Sequence, residues 1–106
     1  MNQYSSIAKI AAITMKEEIK ETANKFKVLG NQSRIRILLE IADEEKCVHE
    51  ISEETDQSFS NASHHLKTLR DNRLVDYRKE GRHKYYRIKD DHVLKILQEC
   101  IDHAGE

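Results

Sequence analysis

Four side chains near the C-terminus have the types and spacing of a metal centre that one helix cannot close. In DDHVLKILQECIDHAGE, residues 90–106, Asp90 and His92 stand at the start and His103 and Glu106 at the end. Between them Val93, Leu94, Ile96, Leu97 and Ile101 form one side of an amphipathic helix. His92 and His103 are 11 residues apart, which leaves roughly 20° between them around a helix and about 16 Å along its axis. Metal–nitrogen bonds of about 2 Å exclude one ion held by both within a single helix. The set therefore divides into two half-sites, Asp90 with His92 and His103 with Glu106, the latter an i,i+3 pair. An antiparallel second copy brings opposite half-sites together, and a two-fold axis does so twice. Each tetrahedral site then has two nitrogen and two oxygen ligands, which favours Zn(II), with Co(II) as a surrogate. Soft ions such as Cu(I) or arsenite demand thiolates, which this set lacks. The same residues also have ordinary local roles. Asp90 or Asp91 is a normal helix N-cap, and His103 a normal partner for a helix C-terminus.

A second group suits nucleic acid. Ser58, Ser60, Asn61, Ser63 and His64 cluster at the start of SFSNASHHLKTLRDNRLV, with Ala62, Leu66 and Leu69 supplying the apolar stripe. Short polar side chains near a helix N-terminus can meet base edges, and free backbone amides there can receive a phosphate. Lys67 and Arg70 continue along that helix, and Arg78, Lys79, Arg82 and Lys84 follow it. Such cations contact phosphates and give affinity without sequence. The bland alternative is a capped helix with a solvated polar face.

The elements that must position these groups are legible in outline. Ile19, Ala23, Phe26 and Leu29 recur at helical spacing from about Glu17, and Gly30 is a suitable stop. Asn31 or Ser33 can cap a second helix through Ile35, Ile37, Leu38, Leu39 and Ile41. EEK makes a polar break before a short helix over 48–54, with Val48 and Ile51 inward. TDQS then connects it to the Ser-rich helix, and two short helices so joined suggest a helix-turn-helix. Around Gly81 and Arg82 the period changes: LVDYRKE and HKYYRIK alternate and signal a hairpin. The fold class is mainly α with a small β-hairpin wing, a homodimeric winged helix-turn-helix. One domain covers residues 1–106, with 1–16 as an arm or short helix and 90–106 as the dimerisation and metal-binding helix.

Composition narrows the setting. A chain of 106 residues with 35% charged and 38% apolar residues has a thin core and gains from dimerising. Net charge is −1, yet residues 63–89 carry 9 Lys/Arg against 3 Asp/Glu, while 1–62 carry 8 against 11 and 90–106 carry 1 against 5. The basic stretch coincides with the Ser-rich helix and hairpin. No stretch has the length of a membrane span or the pattern of a signal peptide. Two cysteines 53 residues apart make no disulfide framework, so a reducing cytoplasm is the expected compartment.

FKVLGNQSRIRILLEI, SNASHHLKTLRDNRLVDYRKEGRHKYYRI and DDHV…IDHA together resemble the ArsR/SmtB family of bacterial metal-sensing repressors, from about Glu17 to Glu106. The resemblance implies a homodimer on an inverted-repeat operator of double-stranded DNA, released by an inducer to derepress metal efflux or resistance genes. The family's recognition-helix pattern falls on Ser60, Ser63, His64 and Leu66, with Phe59 where relatives often carry Gln. Asp-x-His followed after ten residues by His-x-x-Glu is similar to the family's zinc site, which makes Zn(II) the implied inducer at Asp90, His92, His103 and Glu106. The resemblance also implies a link from His103 to backbone near Asn72 and Arg73. In KCVHEIS, Cys47 and His49 stand where cadmium and lead sensors carry Cys-Val-Cys, leaving too few ligands for a soft-metal site; Cys47 opens a helix and Cys100 sits at a packing position. Two rival functions are a metal-independent or thiol-redox-responsive repressor and a metal-dependent hydrolase. Four protein ligands argue against the hydrolase, because catalytic zinc keeps an open position.

Overall fold

A computed structural model describes Lys9 and residues 16–106. The expectation for an arm or short helix over 1–16 lies, apart from Lys9 and Lys16, outside the described residues. Helix α1 (Lys16–Leu29) buries Leu29 in the core of its own chain and packs Val28 partly against it. The chain breaks at Gly30, and the Asn31 side chain accepts from the Arg34 N–H at 3.0 Å to start α2 (Gln32–Glu40). Asn31, not Ser33, is the cap.

The polar EEK break ends in a strand that periodicity did not show. β1 (Lys46–Cys47) pairs with β3 in antiparallel register, Lys46 opposite Tyr86 and Cys47 opposite Tyr85. Its Lys46 ammonium bridges Glu40 at the end of α2 and Glu54 at the end of α3. α3 (Val48–Glu54) follows at once, and the Glu50 carboxylate accepts from the Cys47 N–H at 3.2 Å. After the turn, α4 (Phe59–Asp71) begins at its Ser58 cap. β2 (Val75–Glu80) and β3 (His83–Ile88) form the expected hairpin around Gly81 and Arg82. Gly81 has φ 64°, the left-handed conformation that a tight two-residue turn needs. The sheet order is β1-β3-β2. α5 (Asp91–Ala104) closes the chain with Asp90 as its cap.

Ile37, Leu38, Ile51, Ala62, Leu66 and Leu69 have no exposed surface and bring α2, α3 and α4 onto one core. Leu74 and Val75 extend it into the wing, and Val93 and Leu97 fasten α5 to it. This is a winged helix-turn-helix. Apolar surface remains outside the core: Ile19 (53% exposed) and Phe26 (55%) on α1, Ile96 and Ile101 on α5. Cys100 is exposed as well, so within one copy it does not pack as its helical position implied. Among the described residues no helix is long and apolar enough to cross a membrane.

Candidate nucleic-acid interface and metal half-sites

Burial of Ala62, Leu66 and Leu69 fixes how α4 is rolled. Ser60, Asn61, His64 and Lys67 therefore face solvent, and Ser63 is half-buried. Ser58 lies just before the helix, and its hydroxyl accepts from the Asn61 N–H at 3.0 Å. The oxygen expected at DNA thus also holds the helix start, where loss of such a cap costs about 1 kcal/mol. Lys67 reaches Asp71 at 3.0 Å, an exposed pair of small energy that a phosphate can displace.

The wing cations are not equivalent. Arg78 is taken up by Glu80 and Glu45, whose hydrogen bonds raise its pKa above the ordinary guanidinium value, and its guanidinium lies 4.8 Å from the Tyr85 ring centre. Lys79, Arg82 and Lys84 are exposed. Tyr77 serves as a platform between helix and wing: Arg70 lies 4.5 Å and Lys84 4.7 Å from its ring centre. A cleft of about 710 Å³ separates α4 from the wing, and Phe59, Ser63, Lys67, Arg70, Arg82 and Lys84 line it. The cations of the two elements thus converge on one channel, suited to a phosphodiester strand passing between helix and hairpin. The role of Tyr77 was not legible from sequence, although its alternation within VDYRKE placed it on one face.

Two neighbours of this surface were also missed. The His49 ring stacks against Phe59, 4.7 Å between centroids at 39°. His65, next to exposed His64, turns inward, where Arg34 donates from Nε to its Nδ1 at 3.3 Å and from its second arm to the Val28 carbonyl at 2.9 Å. Burial, then the positive charge of Arg34 and the neighbouring His64, lowers the His65 pKa. Arg34 thereby ties the end of α1 to α2 and α4.

The four C-terminal ligand candidates form two separate pairs. Asp90 Oδ1 accepts from the His92 N–H at 3.0 Å and lies 3.2 Å from His92 Nδ1. His103 Nδ1 and Glu106 Oε2 are 3.6 Å apart. Both imidazoles project into solvent, 87% and 86% exposed. Among the described residues no three His, Cys, Asp or Glu side chains gather around one point. Asp90 and His92 border a cleft of about 270 Å³ with Arg73. Within one chain the His103 side chain meets Glu106, and among the described residues the implied link to backbone near Asn72 and Arg73 is not made. Cys47 is buried, Cys100 is exposed and both are free thiols, an arrangement with no support for a redox pair. His83 approaches His49, with ring centres 6.5 Å apart.

Comparison with known proteins agrees with this geometry. Residues 31–77 match the sequence profile of the bacterial regulatory protein, arsR family. The chain is 37% identical over 90 residues to a transcriptional repressor SmtB homolog of Synechocystis sp., covering 85% of this chain and 68% of that one. It is 33% identical over 92 residues to a cadmium resistance transcriptional regulatory protein CadC homolog of Staphylococcus aureus, covering 86% and 76%. In solution, the homodimeric winged helix-turn-helix DNA-binding domain from Mycobacterium bovis has the same fold, with TM-score 0.79, 30% identity and coverage of 87% and 85%.

Proposed function

Because this chain belongs to the bacterial arsR regulatory family, a family of DNA-binding transcriptional regulators and not enzymes, we propose that it is a homodimeric repressor released from operator DNA by Zn(II). The observation that carries the zinc reading is the division of four ligands into two exposed pairs at opposite ends of α5. Neither pair completes a site within one chain. Asp90 and His92 of one copy, with His103 and Glu106 of a second, would supply two imidazole nitrogens and two carboxylates, a donor set that fits tetrahedral Zn(II). Asp90 Oδ1 is engaged in capping, while its Oδ2 has no hydrogen bond among the described residues. These residues would hold the ion between the two closing helices and so join them.

The exposed Ile19, Phe26, Ile96 and Ile101 support the dimer, since α1 and α5 leave these apolar groups for a second copy to cover. In the dimer, two α4 helices read successive major grooves while Lys79, Arg82 and Lys84 hold the backbone. Release follows only if zinc binds the DNA-free geometry more tightly than the DNA-bound one, and DNA then weakens zinc by the same factor.

Anisotropy of a labelled operator duplex at fixed salt tests the proposal. Zinc lowers wild-type affinity by roughly 5- to 150-fold, the usual range of allosteric coupling. His92→Ala and His103→Ala bind the duplex as the wild type does and ignore zinc. Wild-type affinity that stays constant through the zinc titration overturns the sensor reading while leaving the DNA-binding reading intact.

A further inference from the structure

We propose that Phe59 reads a thymine methyl group in the major groove and thereby selects one base pair in each operator half-site. The inference rests on the reading of α4 and the wing as the DNA interface. Phe59 is the first residue of α4, and 49% of it is exposed. Ser63 and Lys67, four and eight residues on, share its side of α4 and line the same cleft, so the Phe59 ring sits at the cleft-facing edge of the buried Ala62 and Leu66 stripe. The ring rests on the His49 imidazole from α3, which backs it on one side. It lines the cleft in which Lys67, Arg70, Arg82 and Lys84 gather.

A large apolar group held in water beside a cationic channel calls for an apolar feature on the ligand in that channel. The major-groove edges of the four bases offer one, the C5-methyl of thymine. A benzyl side chain has no donor or acceptor, so at guanine, adenine or cytosine it strips water from polar atoms without replacing the hydrogen bonds. Ser60, Asn61 and His64, exposed beside it, can bond the polar edges of adjacent pairs. Phe59 thus contributes selectivity for a methyl group, and the polar residues supply the rest of the readout.

The test uses the full-length dimer and an operator selected from a random duplex library. Each thymine is replaced in turn by uracil, symmetrically in both half-sites, which removes one methyl and leaves base pairing unchanged. At one position per half-site wild-type affinity falls by about fourfold per methyl, the worth of one buried carbon, and so by about 15-fold for the pair. Phe59→Ala loses that sensitivity and no other, and Phe59→Leu keeps part of it. A wild-type protein that binds its operator specifically yet shows no uracil effect overturns the assignment to Phe59 and leaves the DNA interface standing. Equal uracil effects in wild type and Phe59→Ala also overturn it, by placing the methyl against another residue. Failure to select any specific duplex overturns the interface reading, and the assignment with it.

Discussion

His64 and His65 are adjacent and chemically identical, yet α4 gives them opposite environments. His64 is exposed on the proposed DNA face, whereas His65 accepts from Arg34 between α2 and α4. The direction of its pKa shift sets a pH dependence. A lowered folded-state pKa means that the unfolded chain takes up the His65 proton first as pH falls below about 6.5. Protons then favour unfolding, and the stability contributed by neutral His65 is present above that pH and lost as pH drops toward the folded pKa. Urea unfolding between pH 7.5 and 5 should show wild-type stability falling more steeply than that of His65→Gln, with the curves diverging below about 6.5. Parallel curves would mean that His65 titrates alike in both states. Sequence showed the HH pair but not its division, because that depends on Arg34, 31 residues away.

At the scale of elements, helices and hairpin were legible because their periods persist over enough residues to be counted. Asp90, one of two cap candidates, announced the last helix, and Gly81 with Arg82 announced the turn, whereas Ser58, read for DNA contact, proved also to cap α4. β1 was not legible: two residues carry no period, and what makes them a strand is pairing with Tyr85 and Tyr86 far along the chain. The same long-range blindness made Arg78 look like any other wing cation, since the carboxylate of Glu45 that engages it comes from the loop before β1. Salt dependence of operator binding separates the wing residues. Arg82→Ala or Lys84→Ala should lower the slope of log affinity against log salt by about 1 per phosphate contact, hence about 2 per dimer. Arg78→Ala should leave the slope nearly unchanged. An equal loss from Arg78→Ala would show that DNA displaces Glu45 and Glu80 from this guanidinium.

For the whole molecule, the candidate metal centre is a property of two chains. The four residues proposed as its ligands and their separation are read from sequence, because helix geometry alone forbids the two ends from meeting. The fold adds that Val93 and Leu97 anchor α5 to its own core while Ile96 and Ile101 stay uncovered, leaving both half-sites accessible to a partner. The position of Arg73 beside Asp90 and His92 was not readable, since it depends on the cleft that the start of α5 shares with α1 and the turn after α4. Cobalt binding by a mixed dimer of His92→Ala and His103→Ala chains tests the two-chain site most directly. Each variant as a homodimer has one imidazole missing from both sites and should lack the tetrahedral Co(II) absorption of the wild type. In the mixed dimer both losses fall in one site, and the other regains His92 from one chain and His103 from its partner. The account predicts one tetrahedral Co(II) per mixed dimer. No tetrahedral Co(II) in the mixed dimer, with two in the wild-type dimer, would contradict it.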